Sequence, residues 1–171
     1  MYYTRNAQKY TVKHYQENLD GTTYTEITED EQTLTGTYGA TITPSPNSYT
    51  GFTYVAGKTD PTGAVTVPAD DNLVIKLYYD RIMYTVIFVD FDGTVLQTTQ
   101  VPYGGSTNPP ADPDNWPNHT FDRWTGGVWE NVTANQTIRT IYIEIIPRTI
   151  ITELGIPLAG GTVANVGDTF D

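Results

Sequence analysis

The chain repeats itself, and that repeat limits what it can fold into more than any single motif does. Tyr10-Thr11-Val12 returns as Tyr84-Thr85-Val86, and Asp20-Gly21-Thr22 returns as Asp92-Gly93-Thr94. Tyr38-Gly39 returns as Tyr103-Gly104, and Val67-Pro68-Ala69-Asp70 as Val132-Thr133-Ala134-Asn135. Leu73 and Ile75 stand at that last spacing from Ile138 and Thr140. The spacing shrinks from 74 to 72 to 65 residues while the order of the blocks is kept, so the first copy carries the longer insertions. Two unequal copies of one supersecondary unit follow, each the size of a small domain.

Each copy reads as strands. Tyr84 to Val89 alternates and is rich in β-branched residues, Asp92-Gly93 marks a hairpin turn of type I′ with both central residues at positive φ, and Thr94 to Val101 returns antiparallel. Tyr103-Gly104-Gly105 breaks that strand, and Pro109-Pro110-Ala111-Asp112-Pro113 leaves room for one short helical turn at most. Thr120 to Trp124 is a third strand, Asn131 to Thr137 is turn-like, and Ile138 to Ile145 is a long fourth strand. Copy one predicts strands over Tyr10–Tyr15, Tyr24–Thr35, Phe52–Val55 and Leu73–Tyr79. The composition agrees: thirteen Tyr and thirty Thr suit a half-buried pleated surface, and fifteen Gly with eleven Pro suit tight turns. The predicted class is all-β to α+β, two tandem small β-grasp-like units with mixed sheets and little helix. Phe52, Tyr54, Phe121 and Trp124 are expected in the cores.

Charge and missing residue types narrow the function. The formal net charge of −11 repels phosphate backbones and anionic membranes. No stretch reaches the roughly eighteen apolar residues of a membrane helix, so neither nucleic acid nor membrane insertion is expected. Cysteine is absent, which removes disulfides and thiolate chemistry. The start has no apolar segment of signal-peptide type. Tyr3-Thr4-Arg5 looks like Tyr79-Asp80-Arg81, so residues 1–9 read as the end of a preceding repeat or a linker, with any signal and anchor outside this fragment.

The second copy, 83–146, resembles the Listeria–Bacteroides repeat (internalin B-repeat-like) of bacterial surface proteins. Tyr84-Thr85-Val86-Ile87-Phe88, Asp92-Gly93-Thr94-Val95-Leu96, Val101-Pro102-Tyr103-Gly104, Pro109-Pro110, Thr120-Phe121 with Trp124, and Asn131-Val132-Thr133 carry the likeness. The first copy, 10–82, is similar to a mucin-binding-protein (MucBP) repeat through Tyr10 to Tyr15, Leu34-Thr35-Gly36, Gly51-Phe52 and Leu77-Tyr78-Tyr79. The likeness implies a β-grasp fold, no catalysis and no cofactor. It also implies a place on the extracellular surface of a Gram-positive cell, as a secreted, wall-attached stalk or adhesion module. Residues 147–171 fit neither unit and read as a linker or tail. Implied partners are host glycans, mucin-type glycoproteins or other surface-protein domains.

A competing motif argues for an enzyme. Val86 to Val95 is similar to the first motif of haloacid-dehalogenase-type phosphatases, which would make Asp90 the nucleophile and Asp92 the acid and base beside Mg²⁺. Gly167-Asp168 with Asp171 is similar to that family's late metal-binding motif. The family needs helical crossovers, whereas the sequence after Thr94 offers Pro-rich turns and strands, and no Lys follows Lys76. Asp20-Gly21 also repeats the Asp-Gly pair, as a shared turn would. Other candidates are weaker. The two histidines, His14 and His119, lie in different units, and Asp90 with Asp92 and Asp112 with Asp114 fall short of a calcium loop. Asn118, Asn131 and Asn135 start glycosylation-type triplets, and Lys13 and Lys76 are placed for an isopeptide bond. Trp116 and Trp129 stand in loop-like stretches, as sheet-edge caps or as ligand-binding residues whose indole faces stack on sugars.

Overall fold

Alternation along Ala7–Glu17 puts Tyr10, Val12 and His14 on one side and Lys9, Lys13 and Tyr15 on the other, which makes a strand, β1, buried on one face. The computed structural model describes residues 6–146, 153–157 and 163–165. β2 (Tyr24–Glu26) and β3 (Gln32–Thr37) pair antiparallel with β1, along its second and first halves respectively. β7 (Leu73–Arg81) lies on the other side of β1 and parallel to it, from Tyr10 beside Leu73 to Gln16 beside Tyr79. β5 (Phe52–Tyr54) pairs antiparallel with the end of β7, and β4 (Thr41–Ile42) with β6 (Val65–Thr66) forms a separate small ladder.

The second unit repeats this plan with β8 (Met83–Val89), β9 (Val95–Pro102), β10 (His119–Thr125) and β11 (Gln136–Glu144). Its spatial order is β10-β11-β8-β9, against β5-β7-β1-β2 in the first, and β8 and β11 are again parallel. The chain is thus mostly strand, in mixed sheets. Helix among the described residues amounts to two short 3-10 turns, Thr28–Asp30 and Ala56–Lys58. Irregular chain makes the crossover between the parallel strands where a helix is usual.

Hydrogen bonds match the repeat at its Tyr-Gly and Val blocks, whereas at the start of the first strand Ala7, not Lys9, takes the place of Met83. Gly39 N–H donates to Val67 O and Val67 N–H to Ala40 O; Gly104 N–H donates to Val132 O and Val132 N–H to Gly105 O. Gly39 and Gly104 share φ values of 75° and 74°, and Val67 and Val132 are both fully buried. The last strands differ from the spacing in the sequence. Ile138 lies beside Phe88, whereas Leu73 lies beside Tyr10. The parallel ladder accordingly spans four registered pairs in the second unit and seven in the first.

Four other expectations change. Ala7–Lys9 pair with Thr35–Thr37, so the first strand starts at Ala7 rather than Tyr10. Tyr24–Thr35 is two strands, because the turn at Thr28–Asp30 resets the pairing on β1. The Asp-Gly hairpins are not type I′, since only Gly21 (67°) and Gly93 (90°) have positive φ there. Asp20 and Asp92 instead accept the backbone N–H two residues on, and the β8–β9 ladder slips by a bulge at Phe88/Val89. In the tail, Glu153–Pro157 (β12) pairs antiparallel with Val163–Asn165 (β13), where a linker was expected; the late Gly167-Asp168 motif lies outside the described residues.

Each sheet buries one face under its own loops. The first core is Tyr10, Val12, Val65, Ile75, Leu77 and Tyr79, with Phe52 and Tyr54 against it. The second is Val86, Phe88, Val101, Val132 and Ile138, with Trp124 and Trp129 against it. The outer face of the first sheet is covered by charge and aromatic rings. Lys13 pairs with Glu26 and Glu31, Lys58 with Asp80, and the Tyr15 and Tyr78 rings stack at 5.2 Å. All four lysines of the chain (Lys9, Lys13, Lys58 and Lys76) belong to this unit.

His14 is fully buried. Asn47 N–H donates to the Tyr79 hydroxyl, and that hydroxyl shares a hydrogen bond of 2.8 Å with His14 Nδ1. The other ring nitrogen, Nε2, is buried with no protein partner. Burial lowers the His14 pKa below its ordinary value of 6.5, against the pull of Asp30. Below pH ~6.5 the unfolded chain takes up this proton more readily than the folded one, so the neutral-imidazole contribution is lost as pH falls. Urea unfolding should show first-unit stability declining between pH ~6.5 and ~5 by at most ~1.4 kcal/mol per pH unit, and His14→Gln should flatten the decline.

Candidate functional site

The two units meet with almost no linker. β7 ends at Arg81 and β8 begins at Met83, leaving Ile82 alone between them. Ile82 is held on both sides: its N–H donates to Gly51 O at 2.9 Å, and its carbonyl accepts Tyr103 N–H at 2.8 Å. Arg81 ties this point to the end of β1 as well as to Tyr103. Its backbone N–H and Nε donate to Glu17 Oε2 and Glu17 O, and its Nη1 donates to Tyr103 O at 2.7 Å. The guanidinium lies 4.9 Å above the Phe52 ring, and the Tyr103 ring meets Phe52 edge-on at 6.0 Å. The aromatic faces and the cation thus pack as one cluster, with every Arg81 donor named here satisfied.

Gly51 is required in this cluster. Its φ is 81°, and a Cβ there would fall 2.2 Å from the Tyr103 ring. No sequence signal marked Gly51 as a junction residue, because its partner Tyr103 lies 52 positions away. The Arg81-Tyr103 contact was equally hidden, whereas the recurrence of Tyr-Gly did mark the backbone turn on which Tyr103 sits.

The second candidate place is the far end of the second unit. Trp116 is sandwiched between Phe91, at 4.2 Å and 5°, and His119, at 4.2 Å and 10°. Both indole faces are therefore occupied, because the hairpin tip folds Phe91 back over the loop, and no sugar ring can stack there without displacing one of them. Its buried Nε1 has no protein partner. Trp129 differs. It rests one side against Phe88 and lines an open hollow of about 450 Å³ with Gly127, Val128, Glu130 and Asn131. The structure does not bring Trp116 and Trp129 into contact, since Trp129 packs on the Val86–Phe88 core and Trp116 on the hairpin tip.

Asp90 is held through one carboxylate oxygen. Its Oδ1 accepts Thr140 Oγ1–H at 2.9 Å, Tyr142 O–H at 3.1 Å and Phe91 N–H at 2.8 Å. Gly93 N–H donates to Asp90 O as Gly21 N–H donates to Asn18 O, so Asn18 is the counterpart of Asp90 in the first unit. Hydrogen bonding from Thr94 N–H lowers the pKa of Asp92. Lys13 Nζ faces Glu26 and Glu31, and Lys76 Nζ faces Asp60, carboxylates rather than an asparagine amide. Among the described residues no group of three or more His, Asp or Glu side chains is placed to hold a metal ion, and no helix is long and apolar enough to cross a membrane.

No known family profile and no curated protein matches this chain.

Two measurements check this geometry. Gly51→Ala should destabilise the junction by about 1–3 kcal/mol, through strain at positive φ and the clash with Tyr103, as read by urea unfolding. Asp90→Asn keeps the accepting oxygen and copies Asn18, so its melting temperature should stay within a few degrees of the parent. Asp90→Ala should cost about 1–3 kcal/mol. Neither form, nor the parent, should hydrolyse a generic phosphate ester with Mg²⁺; turnover abolished by Asp90→Asn would restore the phosphatase reading.

Proposed function

We propose that this chain is a non-enzymatic stalk or adhesion module of a bacterial cell-surface protein, of the kind implied by its likeness to MucBP and Listeria–Bacteroides repeats. One observation carries this reading: in each unit the first and last strands are parallel neighbours. Parallel neighbours start at the same end, so the chain comes in at one end of a unit and leaves at the other. Repeated twice with one residue between, this arrangement supports the spacer reading. Tension along the chain pulls β1 against β7, and β8 against β11, lengthwise. Lengthwise sliding breaks the bonds of a ladder together rather than one after another, which resists force far better than unzipping does.

A second reading, glycan or host-protein binding, is favoured at Trp129 alone, where an indole borders an open hollow. A glycan array without signal would remove it.

Small-angle scattering should give an elongated particle; two units packed side by side would overturn the stalk. Pulled between its ends, the chain should open in two steps. The second unit, with four registered pairs against seven, should yield first and release roughly 200 Å of chain. Ile138→Ala should weaken only that first step, and Leu77→Ala only the second.

A further inference from the structure

The parts of the central junction recur at both outer ends of the pair of units. At the end of the first unit Ile82 N–H donates to Gly51 O, and Phe52 stands opposite Arg81. At the end of the second, Ile145 N–H donates to Asn118 O, and His119 stands opposite Glu144. Gly51 and Asn118 both have positive φ, 81° and 62°. On the other side, Tyr103 N–H donates to Ile82 O, and Tyr38 N–H donates to Asn6 O at 3.1 Å. Asn6, Ile82 and Ile145 are therefore three occurrences of one position, and Tyr38 and Tyr103 two occurrences of one docking ring. Tyr103 is covered by Phe52 and Arg81, whereas Tyr38 is 48% exposed.

We propose that Tyr38, with Asn6 and Gly39, forms a docking face for the trailing end of another unit of the first kind, presenting a Gly-Phe pair opposite an Arg. The occupant follows from sterics and charge. At the junction the Tyr ring fills the space that a Cβ on Gly51 would need, so the seat exists only under glycine. The trailing end of the second unit has Asn118 in that place. It has His119, already stacked on Trp116, in place of Phe52, and Glu144 in place of the arginine that donates to the Tyr carbonyl. A unit of the second kind therefore does not fit, and the order of units along a stalk is set at these seats. The proposal rests on the stalk reading and names the neighbour within it.

The test extends the full chain. A copy of residues 7–82 is placed directly before Ala7, so that its Ile82 replaces Asn6, and Tyr38→Phe in the added copy distinguishes the two by mass. Nitration by tetranitromethane is then followed at each tyrosine by peptide mapping. In the parent chain Tyr38 should react several-fold faster than Tyr103. In the extended chain Tyr38 should slow to the rate of Tyr103, and Gly51→Ala in the added copy should return it to the parent rate. Residues 83–145 added in place of 7–82 should leave Tyr38 fast. Hydrogen exchange on the added copy verifies that it is folded; Tyr38 equally reactive beside a folded copy would overturn the proposal. An elongated particle with Tyr38 still reactive sinks the docking face and spares the stalk, whereas a compact particle with Tyr38 protected does the reverse.

Discussion

Parallel pairing of the first and last strand is the constraint on which the rest of each unit depends. A parallel pair cannot be closed by a tight turn, so a long crossover must return the chain to its starting end. In this protein the crossover contains no helix beyond short turns. Instead its loops supply residues that bury one face of the sheet, Tyr49, Val65 and Val67 in the first unit and Trp129 and Val132 in the second, while the edge strands it contains add Phe52, Tyr54 and Trp124 to the same face. The core is thus made from the connection that topology demands. The conserved Tyr-Gly to Val bonds, Gly39 with Val67 and Gly104 with Val132, pin that connection down at matching points in both units.

Much of this was legible in the sequence because strands announce themselves at short range. Alternation in Tyr10–Tyr15, Leu73–Tyr79 and Tyr84–Val89 located the central strands to within a few residues. The failures have a common cause in pairing, which is a long-range matter. Tyr24–Thr35 reads as one strand, yet its two ends bond to different stretches of β1. Asp-Gly suggests a type I′ turn, yet the carboxylate finds a backbone N–H to accept, and the ladder takes a bulge.

The candidate sites were less legible for a related reason. Trp116 and Trp129 looked alike in sequence, both in loops beside Pro, Gly or Asn. What separates them is Phe91, brought over Trp116 by a hairpin tip whose direction no local pattern encodes. Asp90 and Asp92 match a catalytic motif in type and spacing, yet Asn18, an uncharged amide, makes the same backbone turn in the first unit. Gly51, Arg81 and Tyr103 come from three separate elements and meet only when the two sheets are joined at Ile82, so no window of sequence contains the junction.

The distribution of cations has a practical consequence. Every lysine lies in the first unit, on or beside the outer face of its sheet, and the second unit has only Arg123 and Arg139 for positive charge. Amine-directed reagents will therefore mark one unit and leave its near-twin untouched. The two units become separately addressable, and a surface that captures the protein through its amines will hold it by the first unit with the second left free.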